Sequence, residues 1–127
     1  MALMLDTCAL LWLASGSDAI SGATRRRIDE ASVVYVSAIS IWEIARKFRK
    51  GTLELPLEPR EWFDRVLEQH NLTLLPLSSE TMFDAAELPE IHKDPADRFI
   101  IAAALRENLP VVTSDGNFAR YGVSCLI

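Results

Sequence analysis

Asp6, Glu43, Asp97 and Asp115 are the residues of this sequence best placed to do chemistry. Asp6 directly follows the apolar run Ala2–Leu5, and Asp115 follows Val111–Thr113 within Thr113-Ser114-Asp115-Gly116-Asn117. If both runs are strands of one parallel sheet, both carboxylates stand beyond strand carboxyl ends, where open α/β sheets bind their ligands. Each Asp is equally readable as a turn or cap residue. Asp97 heads the stripe Asp97, Ile100, Ile101, Ala104 and Leu105, the expected buried face of a helix. A carboxylate there needs a partner, because an unpaired buried charge is very costly. It is either a ligand or a dipole-compensating residue at the third helical position, in a capping arrangement with Asp94.

Glu43 shares a helix face with Arg46, Lys47 and Lys50, roughly opposite Ile41, Ile44, Ala45 and Phe48. Two readings fit. One is a solvated face on which Glu43 pairs with Lys47. The other is a cleft rim whose three cations hold the phosphates of a polyanion. Periodicity does not choose between them. Carboxylates gathered at one sheet end repel one another, raise their own pKa values and destabilise the fold unless a cation sits among them. Hard oxygen donors without a Cys/His set point to Mg²⁺ or Mn²⁺ rather than zinc.

The neighbours of these acids read more plainly. Asp94 is an N-cap, His92 and Lys93 are loop residues within reach of a phosphate, and Arg98 is a salt-bridge partner. His70 and His92 are too isolated to argue for a triad. There is no CxxC, HExxH, Gly-rich phosphate loop or GxSxG, so Ser/His/Asp hydrolysis and nucleotide-fuelled chemistry have no motif support.

The elements that must position the acids alternate along the chain. Ala2–Leu5 reads as a buried strand, and Thr7 caps a short helix through Leu13 that ends near Gly16. Ser21–Ala31 is a helix exposing Arg25, Arg26 and Arg27, and Val33–Val36 is a second strand bounded by Ser37. A helix from Ala38 to Lys50 closes on Gly51, in the place of a C-cap glycine. Pro56–Pro59 is a turn. Pro59–Gln69 is helical with Trp62, Phe63 and Val66 inward, Leu72–Leu77 is a third strand, and Ser79–Leu88 is a helix. Pro95–Asn108 is a helix with Asp94 as N-cap and Pro95 at its first position. Val111–Thr113 and Val123–Leu126 are the last strands. Strands separated by helices imply an α/β fold with a parallel sheet of four to five strands, covered on both faces.

Composition agrees with one domain over residues 1–127: half the residues are hydrophobic and 24% are charged, ample for a core without staples. Thirteen basic against 18 acidic residues give a net charge of −5, which argues against a basic, non-specific nucleic-acid coat but not against action on phosphates. Cys8 and Cys125 are too few for a disulfide framework; free thiols in a reducing cytosol are expected, with a single bridge left open. The apolar stretch Ala2–Ala14 lacks a basic leader and is interrupted by Asp6, and no stretch reaches the ~18 apolar residues of a membrane span. A soluble cytoplasmic protein with no membrane partner is expected.

Four segments together resemble the PIN-domain nucleases, in the form of VapC-like toxins. Leu3-Met4-Leu5-Asp6-Thr7 with Leu10-Leu11-Trp12 is similar to their opening, and Ser37-Ala38-Ile39-Ser40-Ile41-Trp42-Glu43-Ile44 to their second acidic motif. His92-Lys93-Asp94-Pro95-Ala96-Asp97-Arg98 with Ile100-Ile101-Ala102 is similar to the third, and Val112-Thr113-Ser114-Asp115 with Phe118 to the fourth. The resemblance covers essentially the whole chain. It implies a three-layer α/β/α PIN-like domain with strand order 3-2-1-4-5. It also implies a metal-dependent endoribonuclease, the toxin of a type II toxin–antitoxin pair, leaving a 5′-phosphate and a 3′-hydroxyl. Carried over, Asp6, Glu43, Asp97 and Asp115 are the catalytic, metal-binding acids for Mg²⁺, with Mn²⁺ able to substitute. Thr7, Thr113 and Ser114 match supporting hydroxyls, and Asp94 falls outside the core quartet. Arg46, Lys47 and Lys50 are candidates for RNA phosphates. A homodimer and a small antitoxin, whose basic side chain would enter the acids, are the implied partners. Trp12, Trp42 and Trp62 either line a groove for an antitoxin helix or belong to the core.

Two other readings compete. A haloacid-dehalogenase-like phosphatase also places an Asp at the end of its first strand, but needs a second Asp two residues on, where this chain has Cys8. A PIN-like module that binds RNA or a partner without cutting is opposed by the complete acid quartet.

Overall fold

Ala2–Leu5 forms β1, the central strand of a five-stranded parallel sheet in the order β3-β2-β1-β4-β5. In the computed structural model, which describes all 127 residues, the chain runs on through α1 (Thr7–Ser15), α2 (Gly22–Glu30), β2 (Val33–Ser37) and α3 (Ala38–Arg49). It continues through α4 (Pro59–Gln69), β3 (Leu72–Leu75), α5 (Ser79–Glu87) and α6 (Pro95–Glu107) to β4 (Val111–Val112), α7 (Asn117–Arg120) and β5 (Cys125–Leu126). The strand order is the one the family resemblance implies.

The alternation of strand side chains divides the core into two layers. Leu3 and Leu5 of β1, Val34 and Val36 of β2 and Val112 of β4 pack with Leu10 of α1, Ile44 of α3 and Trp62, Phe63 and Val66 of α4. Met4 of β1 and Val111 of β4 face the other way, onto Ile100, Ile101, Ala103 and Ala104 of α6 and onto Phe118 of α7. Leu3, Met4 and Leu5 are fully buried, as a strand covered on both faces must be. Helices on each side of the sheet give the expected three layers.

Register places the functional edge. Leu5 pairs with Val36 on one side and Val112 on the other, so the chain leaves β1, β2 and β4 at one common edge. The first residues beyond that edge are Asp6, Ala38 at the start of α3, and Thr113.

Several boundaries differ from the sequence reading. Asp6, not Thr7, caps α1: Asp6 Oδ1 accepts the Ala9 N–H at 2.7 Å, and Thr7 is the first helical residue. β3 stops at Leu75, because Pro76 has no N–H to give the ladder. β4 is two residues long, although the Thr113 N–H still reaches the Leu126 carbonyl at 2.9 Å. β5 begins at Cys125 rather than Val123, and the short α7 carries no periodic signal in the sequence. Leu105 is 42% exposed, not part of the buried stripe, since eight residues at 100° each carry it about 80° round from Asp97. Gly51, at φ 77°, closes α3 as expected. Cys8 and Cys125 are free and exposed. No helix is long and apolar enough to cross a membrane.

Candidate active site

Asp6 is buried immediately beyond β1, and its cap bond to Ala9 fixes one of its oxygens. Burial pushes its carboxyl above the usual carboxylate range. Hydrogen bonds from Thr113 and the Ala9 N–H pull it down, while Glu43 and Asp115 push it up. The Thr113 hydroxyl accepts the Asp115 N–H at 3.0 Å and lowers the Asp6 carboxyl, so one buried hydroxyl stands beside the acids after β1 and β4. Ser114, by contrast, is exposed and bonds to none of the acids.

Thr7 serves the site one step removed. Its buried hydroxyl meets Ser40 Oγ at 2.8 Å, pinning α1 to α3 and so the helix after Asp6 to the helix that carries Glu43. Glu43 itself unites the two sequence readings. Its Oε2 pairs with Lys47 Nζ at 3.2 Å, the expected i,i+4 bond. Yet its side chain is only 11% exposed, and Oε1 is buried with no hydrogen-bond partner. Burial opposes the Lys47 ammonium, but Glu43 outweighs it and holds Lys47 above the usual lysine range.

Asp97 sits in the first turn of α6. Burial is the largest cause pushing its carboxyl up to about 7; Asp94, Glu43 and Asp6 add to the rise, and His92 opposes it. Asp94 caps α6 by accepting the Ala96 N–H at 2.9 Å, the role the sequence gives it.

His92 is the residue that sequence reasoning missed. Its Nε2 lies 2.7 Å from Asp115 Oδ2 and 3.0 Å from Asp97 Oδ2. These three ligand atoms lie within 4.8 Å of one another, the spacing of a cation's ligand shell. The tautomer decides its role. The Asp94 N–H donates to Nδ1 at 3.2 Å, so Nδ1 is the acceptor and Nε2 carries the hydrogen. His92 therefore donates to both carboxylates and has no lone pair to give a metal at Nε2. Its backbone is equally fixed: the His92 N–H donates to Tyr121 Oη at 2.7 Å, and its ring packs edge-on against Phe118. The signal in the sequence was its place two residues before the α6 cap. Its partners stand five and 23 residues away, beyond any local pattern.

Arg98 is a salt-bridge partner, as the sequence suggests, but above all a clamp. Its guanidinium donates to the carbonyls of Ala85, Leu88, Pro89 and His92 at 2.8–3.3 Å, while its one carboxylate neighbour, Glu90, is 3.9 Å away and exposed. Five donors in a planar fork suit a carbonyl-lined turn. The loop carrying His92 is thus held from both sides, by Arg98 and by Tyr121, whose hydroxyl donates to Pro89 O at 2.7 Å.

Beside the acids, a cleft of about 440 Å³ opens between α3 and the start of α6, lined by Trp42, Glu43, Arg46, Lys47, Lys50 and Lys93 among others. Trp42 is 56% exposed there, Trp12 is half-buried, and Trp62 is 6% exposed in the core. A groove built from all three tryptophans is therefore absent, because Trp62 faces inward from α4.

The structure thus brings these acids within electrostatic reach: Glu43 and Asp115 raise Asp6, and Glu43 and Asp6 raise Asp97. An orphaned buried Glu43 oxygen, and two carboxyls pushed up first by burial and then by neighbouring acids, fit a hard divalent cation held by carboxylates. The His92 Nε2–H steadies two of these carboxylates, Asp97 and Asp115.

The profile of the PIN domain family matches residues 3–123. The curated protein "Ribonuclease VapC22" of Mycobacterium tuberculosis (strain ATCC 25618 / H37Rv) is 26% identical over 113 residues, spanning 88% of this chain and 85% of the relative. Among solved structures, VapBC2 from Rickettsia felis, bound to a DNA fragment from its promoter, superposes with a TM-score of 0.74 at 19% identity, covering 98% of this chain and 97% of that one. FitAcB from Neisseria gonorrhoeae gives a TM-score of 0.69 at 21% identity, covering 100% and 97%.

Proposed function

Because the chain belongs to the PIN domain family, we propose that it is a metal-dependent endoribonuclease and the toxin of a type II toxin–antitoxin pair, working in the cytoplasm. The observation that carries this reading is the convergence of Asp6, Glu43, Asp97 and Asp115 at one sheet edge, with a buried Glu43 oxygen left without a partner. The relative named as a ribonuclease supports RNA as the substrate. Asp6, Glu43, Asp97 and Asp115 would hold Mg²⁺, with Mn²⁺ able to substitute. When bound, such an ion lowers the pKa of a water and offsets charge developing on the phosphate.

The chain's own residues do the rest. Thr113 orients Asp6 and the turn that carries Asp115. His92 keeps one oxygen each of Asp97 and Asp115 turned toward a common point. Thr7 and Ser40 fix the separation of α1 and α3. Arg46, Lys47 and Lys50 line the cleft and hold backbone phosphates, a local countercharge to the net −5. The acid cluster also explains how a partner would silence the enzyme: an antitoxin's basic side chain would satisfy the same carboxylates that the metal needs. A homodimer completes the reading.

The test is cleavage of a structured RNA mixture with Mg²⁺, with Mn²⁺ and with EDTA, running Asp6→Asn and Asp97→Asn beside the wild type. Metal-dependent cleavage lost in both variants is expected. Equal cleavage by either folded variant would overturn the site assignment.

A further inference from the structure

We propose that Trp42 is a base-stacking platform, on which a nucleobase of the RNA strand lies while Arg46, Lys50 and Lys93 hold the flanking phosphates. The inference rests on the ribonuclease reading and specifies how the strand enters the site. Trp42 is the one tryptophan with most of its side chain in solvent, and it stands next to Glu43 in the same cleft. A large apolar ring at that exposure wants a partner. Arg46 supplies part of one, its guanidinium carbon 5.7 Å from the indole centroid, which steadies the ring and places a positive charge beside it.

The charges around the ring select the partner. The ion pairs of this chain use Lys47, Arg49, Arg65, His92, Arg98 and Arg106. Arg46, Lys50 and Lys93 enter none, though the chain is acidic overall and all three line the cleft from its α3 and α6 sides. Unpaired cations along a groove, with an exposed aromatic between them, form the arrangement that binds single strands: the cations track the phosphates and the ring takes a base face. A nucleic acid strand gains from both features. Its scissile phosphate then lies on the Glu43 side of the platform, with a nucleotide anchored by stacking rather than by sequence-specific hydrogen bonds.

The experiment measures binding of a DNA decanucleotide of mixed sequence, in EDTA so that nothing is cleaved, to wild type, Trp42→Ala and Trp42→Phe. The same strand with its bases removed is the control. Trp42→Ala is expected to weaken binding about 5- to 100-fold, the range of one base–aromatic stack, and Trp42→Phe to retain most of it. Removing the bases should weaken wild type but cost Trp42→Ala little more, and all variants should melt at the wild-type temperature. Equal binding by Trp42→Ala would overturn the proposal, as would an equal loss on base-bearing and abasic strands. So would unchanged strand binding with loss of a co-expressed partner protein, which would make the indole a protein-docking residue. Cleavage of RNA by wild type with Mn²⁺ is read separately. Cleavage with no Trp42 effect sinks this inference alone, and Trp42-dependent binding without cleavage sinks the ribonuclease reading alone.

Discussion

Replacing Asp97 with Asn should stabilise the metal-free protein, and the size of the gain follows from the site. The Asp97 carboxyl is pushed up to about 7, mainly by burial and then by Asp94, Glu43 and Asp6, from an ordinary value of 3.8. A carboxylate with a raised folded-state pKa costs nothing below its unfolded value. The cost grows as pH climbs between the two values and is complete above the folded one. At 1.36 kcal/mol per unit, the full penalty is about 4 kcal/mol, of which about 2 develops between pH 5 and pH 7.5. Asn is neutral at every pH and keeps an oxygen that can accept the His92 Nε2–H. Against the gain stands the lost charge at the head of α6, worth about 0.3–1 kcal/mol. The Asp97 side chain keeps 19% of its exposure, so solvent screening removes roughly a quarter to a half of the full penalty; a net stabilisation of about 1–3 kcal/mol at pH 7.5 remains, a rise in Tm of roughly 3–10 °C for a domain of this size. The assay is thermal melting of both proteins in EDTA at pH 5 and 7.5, then with excess Mg²⁺. The gap should widen with pH in EDTA. It should narrow or invert with Mg²⁺, because binding to the folded state adds stability that the variant forfeits. A lower Tm for Asp97→Asn in EDTA at both pH values would refute the reasoning and make Asp97 a structural cap.

Two further predictions probe the residues behind the acids. His92→Ala should weaken Mn²⁺ binding and RNA cleavage by about 10- to 100-fold, as removal of a residue that orients ligands does, while His92→Gln, which keeps an N–H donor, should recover most of both. Mn²⁺ titration followed by electron paramagnetic resonance reads the binding, and equal losses in both variants would contradict the donor role. Arg98→Leu should lose about 2–4 kcal/mol of stability in urea melts, since it abandons several charge-assisted bonds to loop carbonyls, and Arg98→Lys should not rescue it. Full rescue by Lys would show that charge alone, not the planar fork, holds the loop.

The sheet and the placement of Asp6, Asp97 and Asp115 were legible because their signals are local. A buried strand shows as an apolar run, and an acid directly after it needs no tertiary knowledge to be assigned to the strand's end. Asp94-Pro95 announced the start of α6 in the same way. Glu43 was ambiguous for a physical reason: it lies at the boundary between the apolar and charged stripes of α3, and only the packing of α3 against α1 and α6 turns that boundary inward. His92 was illegible because its loop has no period and its partners lie across the sheet edge. Asp6 prevailed over Thr7 as the cap because a carboxylate at a helix N-terminus gains from the dipole as well as the hydrogen bond. Trp62 was expected both on α4's inner face and as a candidate for a groove, and the core claimed it.

The strand order has a consequence in time as well as in space. β1 leaves a ribosome well before its sheet neighbour β4 and the acid beyond it. At ~5–20 residues per second, about 5–20 s separate the synthesis of Asp6 from that of Asp115. Thr113 is missing for nearly all of that interval as well, so the buried hydroxyl that stands beside the acids beyond β1 and β4 is not yet there. The nascent chain therefore carries its first two acids without a site. The parallel order that gathers these acids also keeps them apart until the segment after β4 has been made.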